Sequence, residues 1–301
     1  MRNLTIVITF LLFVCCQQVL AESTTPATST KKQPQLPTNN AQRIVALAPH
    51  IVESLFDIGA GERIVGTVDY ADYPEKALSI PRIGGYYGIQ IEKVLALKPD
   101  LIIVWQSGNK AVDIERLKSL NMPLVFSNPK SIQDVAHELR LFGRLTNQQH
   151  NAEIKAVAFE QSLQRIKQQY SNQRPISVFY QLWSEPLMTV NKSTWIHQLI
   201  KTCGARNVFA DSATDYPQLS IENVLLKQPQ VIITADEKAD KPQPVINWQK
   251  WSMIPAVKHN QFLAVNADLM HRFSARMLIG LEDMCEKIAR TRQAISSKDR
   301  L

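Results

Sequence analysis

The chain has 301 residues and a formal net charge of +7, with 34 Lys and Arg against 27 Asp and Glu. The basic residues are scattered and form no arginine-rich stripe, which argues against a nucleic-acid-binding protein. The length allows one large or two ordinary domains.

The first residues have the pattern of an export signal. Arg2 precedes a mostly apolar, uncharged run over residues 4–14, and the modest side chains Val-Leu-Ala follow at residues 19–21. The run is shorter than the about 20 residues that a membrane span needs, so an anchor is the less favoured alternative. We predict a signal peptide over residues 1–21, cleavage after Ala21 and a location in the periplasm.

Residues 22–42 are rich in Ser, Thr, Pro, Gln and Asn. Such a segment cannot bury enough apolar surface to offset its ordering entropy, so we predict a disordered tether before a folded part that begins near Arg43. Cleavage of the signal would leave two cysteines, Cys203 and Cys285. In an oxidising compartment they are candidates for a disulfide, with two buried free thiols as the alternative.

From residue 43 to 130, strand patterns and helix patterns alternate. Helical spacing occurs at residues 51–58, 91–97 and 112–120, and short apolar runs predict strands at residues 44–47, 64–65, 101–105 and 124–126. The run at 101–105 is apolar throughout, as in a strand that is buried on both faces of a parallel sheet. The alternation predicts an α/β lobe with a central, mostly parallel sheet.

Residues 131–172 interrupt this alternation with helical periodicity, no proline and one glycine, Gly143. We predict a long connecting backbone helix, with a possible joint at Thr146-Asn147 that would make it two helices in line. Forty continuous helical residues would reach about 60 Å, which is longer than one lobe. The segment therefore fits a rigid connector between two lobes.

Residues 173–301 return to the first pattern, with strands predicted at residues 176–180, 231–234 and 262–265 and helices at 196–202 and 274–294. The letters repeat as well, because residues 91–103 resemble residues 221–233 and Asp72-Tyr73-Pro74 recurs as Asp215-Tyr216-Pro217. Repeats that keep their order favour two similar lobes, and a cleft between paired lobes is a common ligand site.

Signals for catalysis are weak. The chain has no Gly-x-Ser-x-Gly elbow, no phosphate-binding glycine loop and no Cys-x-x-Cys pair, and its six histidines lack paired metal spacing. We therefore predict no enzyme activity, no metal site and no cofactor. His271, between Asp268 and Arg272, leaves a transition-metal ligand open, with an ordinary polar loop as the alternative.

Aromatic residues concentrate in the predicted loops, at Tyr70, Tyr73, Tyr86, Tyr87, Trp105, Trp183 and Tyr216. Loops that follow strands in such sheets face the ligand crevice, and aromatic faces suit a large, flat, partly apolar ligand. Packing inside a lobe is the alternative for several of them, Tyr73 and Trp105 included. Glu92 and Glu222 begin equivalent helices of the two halves, where they either favour the helix dipole or dock on a two-fold symmetric partner.

Several segments resemble the helical-backbone substrate-binding proteins of ABC importers over about residues 43–290, namely residues 43–49, 72–74, 96–103 and 203–209. The resemblance implies two β/α lobes joined by one rigid helix, little closure on ligand binding, and docking to an inner-membrane permease and ATPase complex through Glu92 and Glu222. The two cysteines of the cobalamin-binding members of the family have counterparts here in Cys203 and Cys285.

Within this family, Ile103-Val104-Trp105 followed by Gly108-Asn109, and Asp211-Ser212 ahead of Tyr216, are similar to the cobalamin-binding members. The resemblance implies that cobalamin or a related corrinoid is a transported ligand. It implies a corrin held between aromatic faces and a polar rim, by Tyr70, Tyr86, Trp105, Tyr216, Asp268 and Arg272. Tyrosine stands at Tyr86 and Tyr216, where these members lead us to expect tryptophan.

Other ligands and functions stay open at this point. A haem or ferric-siderophore receptor of the same fold is the first alternative, although an anionic siderophore would want several convergent Arg or Lys residues. An exported metal-dependent hydrolase is the second, and a partner-binding module without a transport role is the third.

Overall fold

The computed structural model describes residues 40–236 and 245–298. The predicted signal peptide and residues 22–39 of the predicted tether lie outside these ranges. None of the helices within the two ranges is both long enough and apolar enough to cross a membrane.

The N-terminal lobe contains six strands, β1 (Ile44–Ala46), β2 (Ile64–Thr67), β3 (Gly84–Gly85), β4 (Gly88–Ile89), β5 (Leu101–Trp105) and β6 (Leu124–Ser127). Its helices are α1 (Pro49–Asp57), α2 (Ile91–Ala96) and α3 (Ala111–Ser119). Four strands form a parallel sheet in the order β2-β1-β5-β6, and β3 and β4 form a short antiparallel hairpin. Leu101 to Val104 are buried completely, as the apolar run predicts for an inner strand.

Two helices occupy the predicted connector, α4 (Asp134–Leu145) and α5 (Gln149–Tyr170). They are not in line. Arg140 of α4 donates to the carboxylates of Glu153 and Glu160 on α5, at 2.8 and 2.6 Å. Gly143 allows the close approach, because a Cβ there would lie 2.4 Å from that of Ala152. The long connecting helix is therefore α5 alone, whose 22 residues span about 33 Å.

The C-terminal lobe contains strands β7 (Ile176–Gln181), β8 (Trp183–Ser184), β9 (Leu187–Met188), β10 (Ala205–Asn207), β11 (Val231–Asp236) and β12 (Phe262–Asn266). Its helices are α6 (Trp195–Thr202), α7 (Ile221–Lys227), α8 (Pro255–Lys258), α9 (Ala267–Met270) and α10 (Met277–Lys298). The parallel sheet has the order β10-β7-β11-β12, and β8 pairs with β9 in an antiparallel hairpin.

The two parallel sheets have the same strand order. If β1, β2, β5 and β6 are matched in chain order with β7, β10, β11 and β12, each sheet places the second strand at one edge and the first strand beside it. The structure thus confirms the two similar lobes that the sequence repeats predict. Helix α4 packs on α1 of the N-terminal lobe, and α5 packs on α6 and α10 of the C-terminal lobe.

The predicted disulfide is present. It joins Cys203, directly after α6, to Cys285 in α10, with 4.6 Å between the two Cα atoms. Both residues are completely buried in the core. The bond ties the last helix of the chain to the middle of the C-terminal lobe.

Candidate functional site

Four of the six predicted ligand-binding residues lie at the end of a strand of the two parallel sheets or in the segment that follows it. Tyr70 follows β2 and Trp105 ends β5, while Asp268 follows β12. Tyr216 lies between β10 and α7, in a segment whose Pro217 carbonyl accepts a hydrogen bond from the Thr189 amide, 3.1 Å away. All strands of a parallel sheet end at the same edge, so each lobe gathers its share of these residues at its carboxyl edge.

Three tyrosines of the N-terminal lobe present their rings to solvent. Tyr86 is at the tip of the β3–β4 hairpin and is 76% exposed, and Tyr70 and Tyr87 are also exposed. The rings of Tyr86 and Tyr87 meet edge to face, with centroids 5.6 Å apart. A hydrogen bond to Asp69 holds the Tyr87 hydroxyl and raises its pKa. The hairpin therefore exposes two aromatic rings, and the hydrogen bond from Tyr87 to Asp69 holds one of them in place.

Trp105 is half-buried, so part of its side chain packs inside the lobe and part is open to a ligand. Its ring lies over Gly108, where a Cβ would come within 1.9 Å of the indole, and its edge meets the His50 ring at a centroid distance of 5.3 Å. The indole Nε1 is buried and has no hydrogen-bond partner among the residues that the structure describes. A buried donor that lacks an acceptor lowers the free energy of unfolding by about 1–3 kcal/mol. The N–H group of the Trp105 indole is such a donor.

His50, which contacts the Trp105 ring, belongs to a buried chain of hydrogen-bonded polar groups. The Nε2 atom of His50 lies 3.0 Å from the Ser127 hydroxyl, which donates to Glu138 at 2.8 Å. Burial, with a contribution from Arg272, lowers the pKa of His50 to about 3, and burial raises the pKa of Glu138 to about 7. The neutral imidazole therefore acts here as a hydrogen-bonding group and not as a cation.

Arg272 lies at the contact between the lobes and is only 8% exposed. Its guanidinium donates to Glu53 and Asp72 of the N-terminal lobe, both at 2.9 Å, and to Asp268 of its own lobe at 2.6 Å. Burial lowers the pKa of Arg272, but the hydrogen bonds to Asp72 and Glu53 outweigh that effect and raise it. Arg272 therefore stays charged within this group of carboxylates.

Arg276 adds a second link between the lobes. It donates to the Glu53 carboxylate at 3.1 Å, and its guanidinium lies 3.5 Å from the centre of the Tyr73 ring. We call Glu53, Asp72, Asp268, Arg272 and Arg276 the inter-lobe ion cluster. It brings the carboxyl edges of the two sheets together and forms a charged contact beside the aromatic residues.

His271 does not have the surroundings of a metal ligand. Its Nε2 atom lies 3.0 Å from the Tyr180 hydroxyl, and burial lowers the pKa of the imidazole to about 4. Over residues 40–236 and 245–298, no group of three or more His, Cys, Asp or Glu side chains is arranged to hold a metal ion. His271 is a part-buried, hydrogen-bonded residue of the C-terminal lobe.

The predicted docking residues have equivalent places in the two lobes. Glu92 lies in the first turn of α2 and Glu222 in the first turn of α7, and both are exposed. At α7 the side chains of Ser220 and Asn223 form a capping box, and the hydrogen bond to Ser220 lowers the pKa of Glu222. Each lobe thus exposes one carboxylate at the start of a matching helix.

Sequence reasoning did not single out Glu53, Asp72 or Arg276 as site residues. One signal for Glu53 was available, because it stands in a helix between the apolar Val52 and Leu55, and a buried carboxylate is rarely left unpaired. Its partners are more than 200 residues away in the chain, and no spacing pattern reveals them.

Two surface depressions occur elsewhere, both along α5. One is lined by Lys167 and Lys201, and the other by Tyr170 and Arg292. Neither contains a predicted ligand-binding residue. We define the candidate site by its exposed aromatic side chains and the adjoining ion cluster.

Two α/β lobes of equal topology, with their carboxyl edges in contact and aromatic side chains exposed beside that contact, define a two-lobed ligand-binding protein. Residues 44–269 match the family described as Periplasmic binding protein. The chain belongs to that family.

Two relatives are similar to this chain in sequence over most of their length. The vitamin B12-binding protein of Vibrio cholerae serotype O1 is 37% identical over 246 residues, which are 81% of this chain and 88% of the relative. The vitamin B12-binding protein of Pectobacterium atrosepticum is 33% identical over 263 residues, 85% and 91% of the two chains.

Solved structures show the same similarity. That of the periplasmic vitamin B12 binding protein BtuF of Vibrio cholerae is 36% identical and superposes with a TM-score of 0.77, covering 84% of this chain and 98% of that one. The periplasmic heme-binding protein BhuT, in complex with two hemes, superposes with a TM-score of 0.73 over 83% and 98% at 17% identity, and shows the fold alone.

Proposed function

We propose that the protein binds cobalamin or a related corrinoid between its lobes and delivers it to an inner-membrane ABC permease and its ATPase. One observation carries the proposal: both lobes place exposed aromatic side chains at their carboxyl edges, in a chain 37% identical to a vitamin B12-binding protein. Tyr70, Tyr86 and Trp105 would contact one face of the corrin and Tyr216 the other. The corrinoid is cargo and not a cofactor.

The charge of the inter-lobe ion cluster supports a corrinoid over the alternatives. Arg272 and Arg276 are both bonded to carboxylates, and the two arginines and three carboxylates carry a formal charge of −1. Haem propionates or an anionic siderophore would need cations that are not already paired. A corrin has neutral amides around its rim, which can use the remaining donors and acceptors of Asp268 and Arg272.

The direct test is a titration of the purified protein with cobalamin, haem and a ferric siderophore, followed by visible absorption and calorimetry. We expect cobalamin to give saturable binding with Kd below about 1 μM, which corresponds to about −8 kcal/mol. Absence of heat and of any spectral change at tens of micromolar cobalamin would contradict the proposal, and saturation by haem instead would support the alternative ligand.

We further propose that residues 1–21 are cleaved as a signal peptide and that residues 22–42 tether the folded part. The family supports a periplasmic location, and the composition of residues 22–42 supports a segment without a core of its own. N-terminal sequencing of the exported protein is expected to begin at Glu22.

Glu92 and Glu222 are proposed to dock on the permease. Charge reversal to Arg at either position is expected to leave the Kd for cobalamin unchanged, because both side chains are exposed at helix starts, and to lower uptake at least about tenfold. Uptake of labelled cobalamin by cells is the measurement, with the exposed Glu75→Arg as a matched control. Loss of binding by the isolated variants, or normal uptake by both, would contradict the docking role.

A further inference from the structure

One carboxylate of the N-terminal lobe collects several donors from the other lobe. Glu53, in α1, is only 2% exposed. Arg272 and Arg276 donate to its Oε1 atom at 2.9 and 3.1 Å, and the Ser274 hydroxyl donates to Oε2. All three donors come from the short segment between α9 and α10 of the C-terminal lobe.

Such an arrangement fixes direction as well as distance. A guanidinium presents its N–H groups in a rigid planar fork, and its hydrogen bonds to carboxylates are short and directional. The same guanidinium also donates to Asp72 of the N-terminal lobe, so small rotations of one lobe against the other would stretch its bonds to Glu53 and Asp72 together. Loss of the Glu53 carboxylate would remove an acceptor that Arg272, Arg276 and the Ser274 hydroxyl share.

The donors of Glu53 are also part of the candidate ligand site. Arg272 bonds to Asp268, the proposed acceptor for the corrin rim, and Arg276 lies on the Tyr73 ring. Trp105 is close by, because its neighbour His50 also contacts Phe273, which is adjacent to Arg272 in the chain. A change at Glu53 is therefore transmitted to residues on both sides of the cleft.

We propose that Glu53 is a positioning residue: its buried carboxylate fixes the relative placement of the two lobes and thereby the spacing between the aromatic side chains that hold the ligand. The part of this inference that concerns the ligand rests on the proposed function. The part that concerns the lobes does not, and the experiment tests the two parts separately.

The first measurement uses the protein without ligand. Spin labels on Arg116→Cys and Lys258→Cys, exposed positions with one on each lobe, report the distribution of inter-lobe distances by double electron–electron resonance. We expect Glu53→Gln to broaden or shift a narrow wild-type distribution. Asp100→Asn is the control, since Asp100 is a carboxylate of the N-terminal lobe that accepts hydrogen bonds from the backbone amides of Gln42 and Arg43 within the same lobe. A wild-type distribution for Glu53→Gln overturns the proposal.

The second measurement is cobalamin binding by the same variant. We expect Glu53→Gln to raise Kd at least about tenfold, mainly through faster dissociation. A broadened distance distribution with Kd within about twofold of wild type overturns the positioning of the ligand site. If the wild type does not bind cobalamin, the proposed function fails, while the distance measurement still decides the role of Glu53.

A milder variant covers the case in which Glu53→Gln does not fold. Ser274→Ala removes one donor to Glu53 and leaves both arginines in place. It is expected to broaden the inter-lobe distances less than Glu53→Gln and to weaken binding about threefold or more. A distribution and a Kd that both equal those of the wild type would overturn the proposal by this route.

Discussion

Tyr216→Ala is expected to weaken cobalamin binding by at least roughly thirtyfold, which corresponds to about 2 kcal/mol. The reason is that, in the proposed site, Tyr216 would supply an aromatic face from the C-terminal lobe, while Tyr70, Tyr86 and Trp105 would supply the face from the other lobe. Its ring is 40% exposed, so a bound ligand would cover surface that is open in the free protein. Calorimetric titration of wild type and variant gives the ratio of Kd values.

Two further variants separate ligand contact from packing. Tyr216→Phe keeps the ring and is expected to bind within a few-fold of wild type, and Met253→Ala removes another exposed apolar side chain of the same lobe outside the candidate site. Thermal unfolding of each variant is measured alongside. A large fall in melting temperature for Tyr216→Ala with unchanged Kd would show that the ring packs inside its lobe, against the assignment.

Removal of the disulfide is expected to lower the free energy of unfolding by up to about 4–5 kcal/mol. The bond joins Cys203 to Cys285, 82 residues apart, and it limits the unfolded chain more than the folded one. Urea unfolding of the oxidised protein, the reduced protein and Cys203→Ala/Cys285→Ala measures the loss. The double variant adds the cost of two small core cavities, so it is expected to be the least stable of the three.

Thiol labelling provides the control for this prediction. The exported protein, unfolded without reductant, is expected to show no reactive thiol from Cys203 or Cys285, and two after reduction. Two reactive thiols before reduction would mean that the bond does not form, and equal stability of oxidised and reduced protein would mean that it contributes nothing.

Much of the fold could be predicted because the signals are local. The apolar run of β5 and the helical spacing of α2 and α7 are readable within ten residues, and the structure places all three elements where the patterns predict them. The repeat between the halves likewise predicted two similar lobes, and the structure shows that their parallel sheets have the same strand order. The β3–β4 hairpin was missed because its strands have two residues each and three of those four residues are glycines.

The sequence indicated a possible break between α4 and α5, but it did not indicate that the chain reverses direction there. Thr146-Asn147 was a possible joint, yet residues 131–172 contain no proline, and the only glycine lies within α4. What reverses the chain is the left-handed Asn147, with a φ of 55°, and the contacts of Gly143 and Arg140 with α5. These are tertiary contacts, and helical periodicity alone does not encode them.

In the candidate site, too, some features could be predicted from local sequence and others depend on tertiary contacts. Aromatic residues in loops after strands were identified from position alone, since such loops meet at one edge of a sheet. Arg272 and Asp268 were proposed as ligand contacts, but the structure shows Arg272 already bonded to three carboxylates. That environment depends on Glu53 and Asp72, which belong to the other half of the chain.

The residues of the inter-lobe ion cluster lie far apart in the chain, so we expect the cluster to form late in the synthesis and folding of the protein. Glu53 and Arg272 are 219 residues apart, whereas the strands of the N-terminal sheet all lie within residues 44–127. Local contacts form early and contacts between distant residues form late, because a long loop must close first. The N-terminal lobe can therefore assemble while the rest of the chain is still being made. The inter-lobe ion cluster can form only when about the last 30 residues are made. A chain that ends before Arg272 would be expected to fold its first sheet and to lack the charged contact that joins the two lobes.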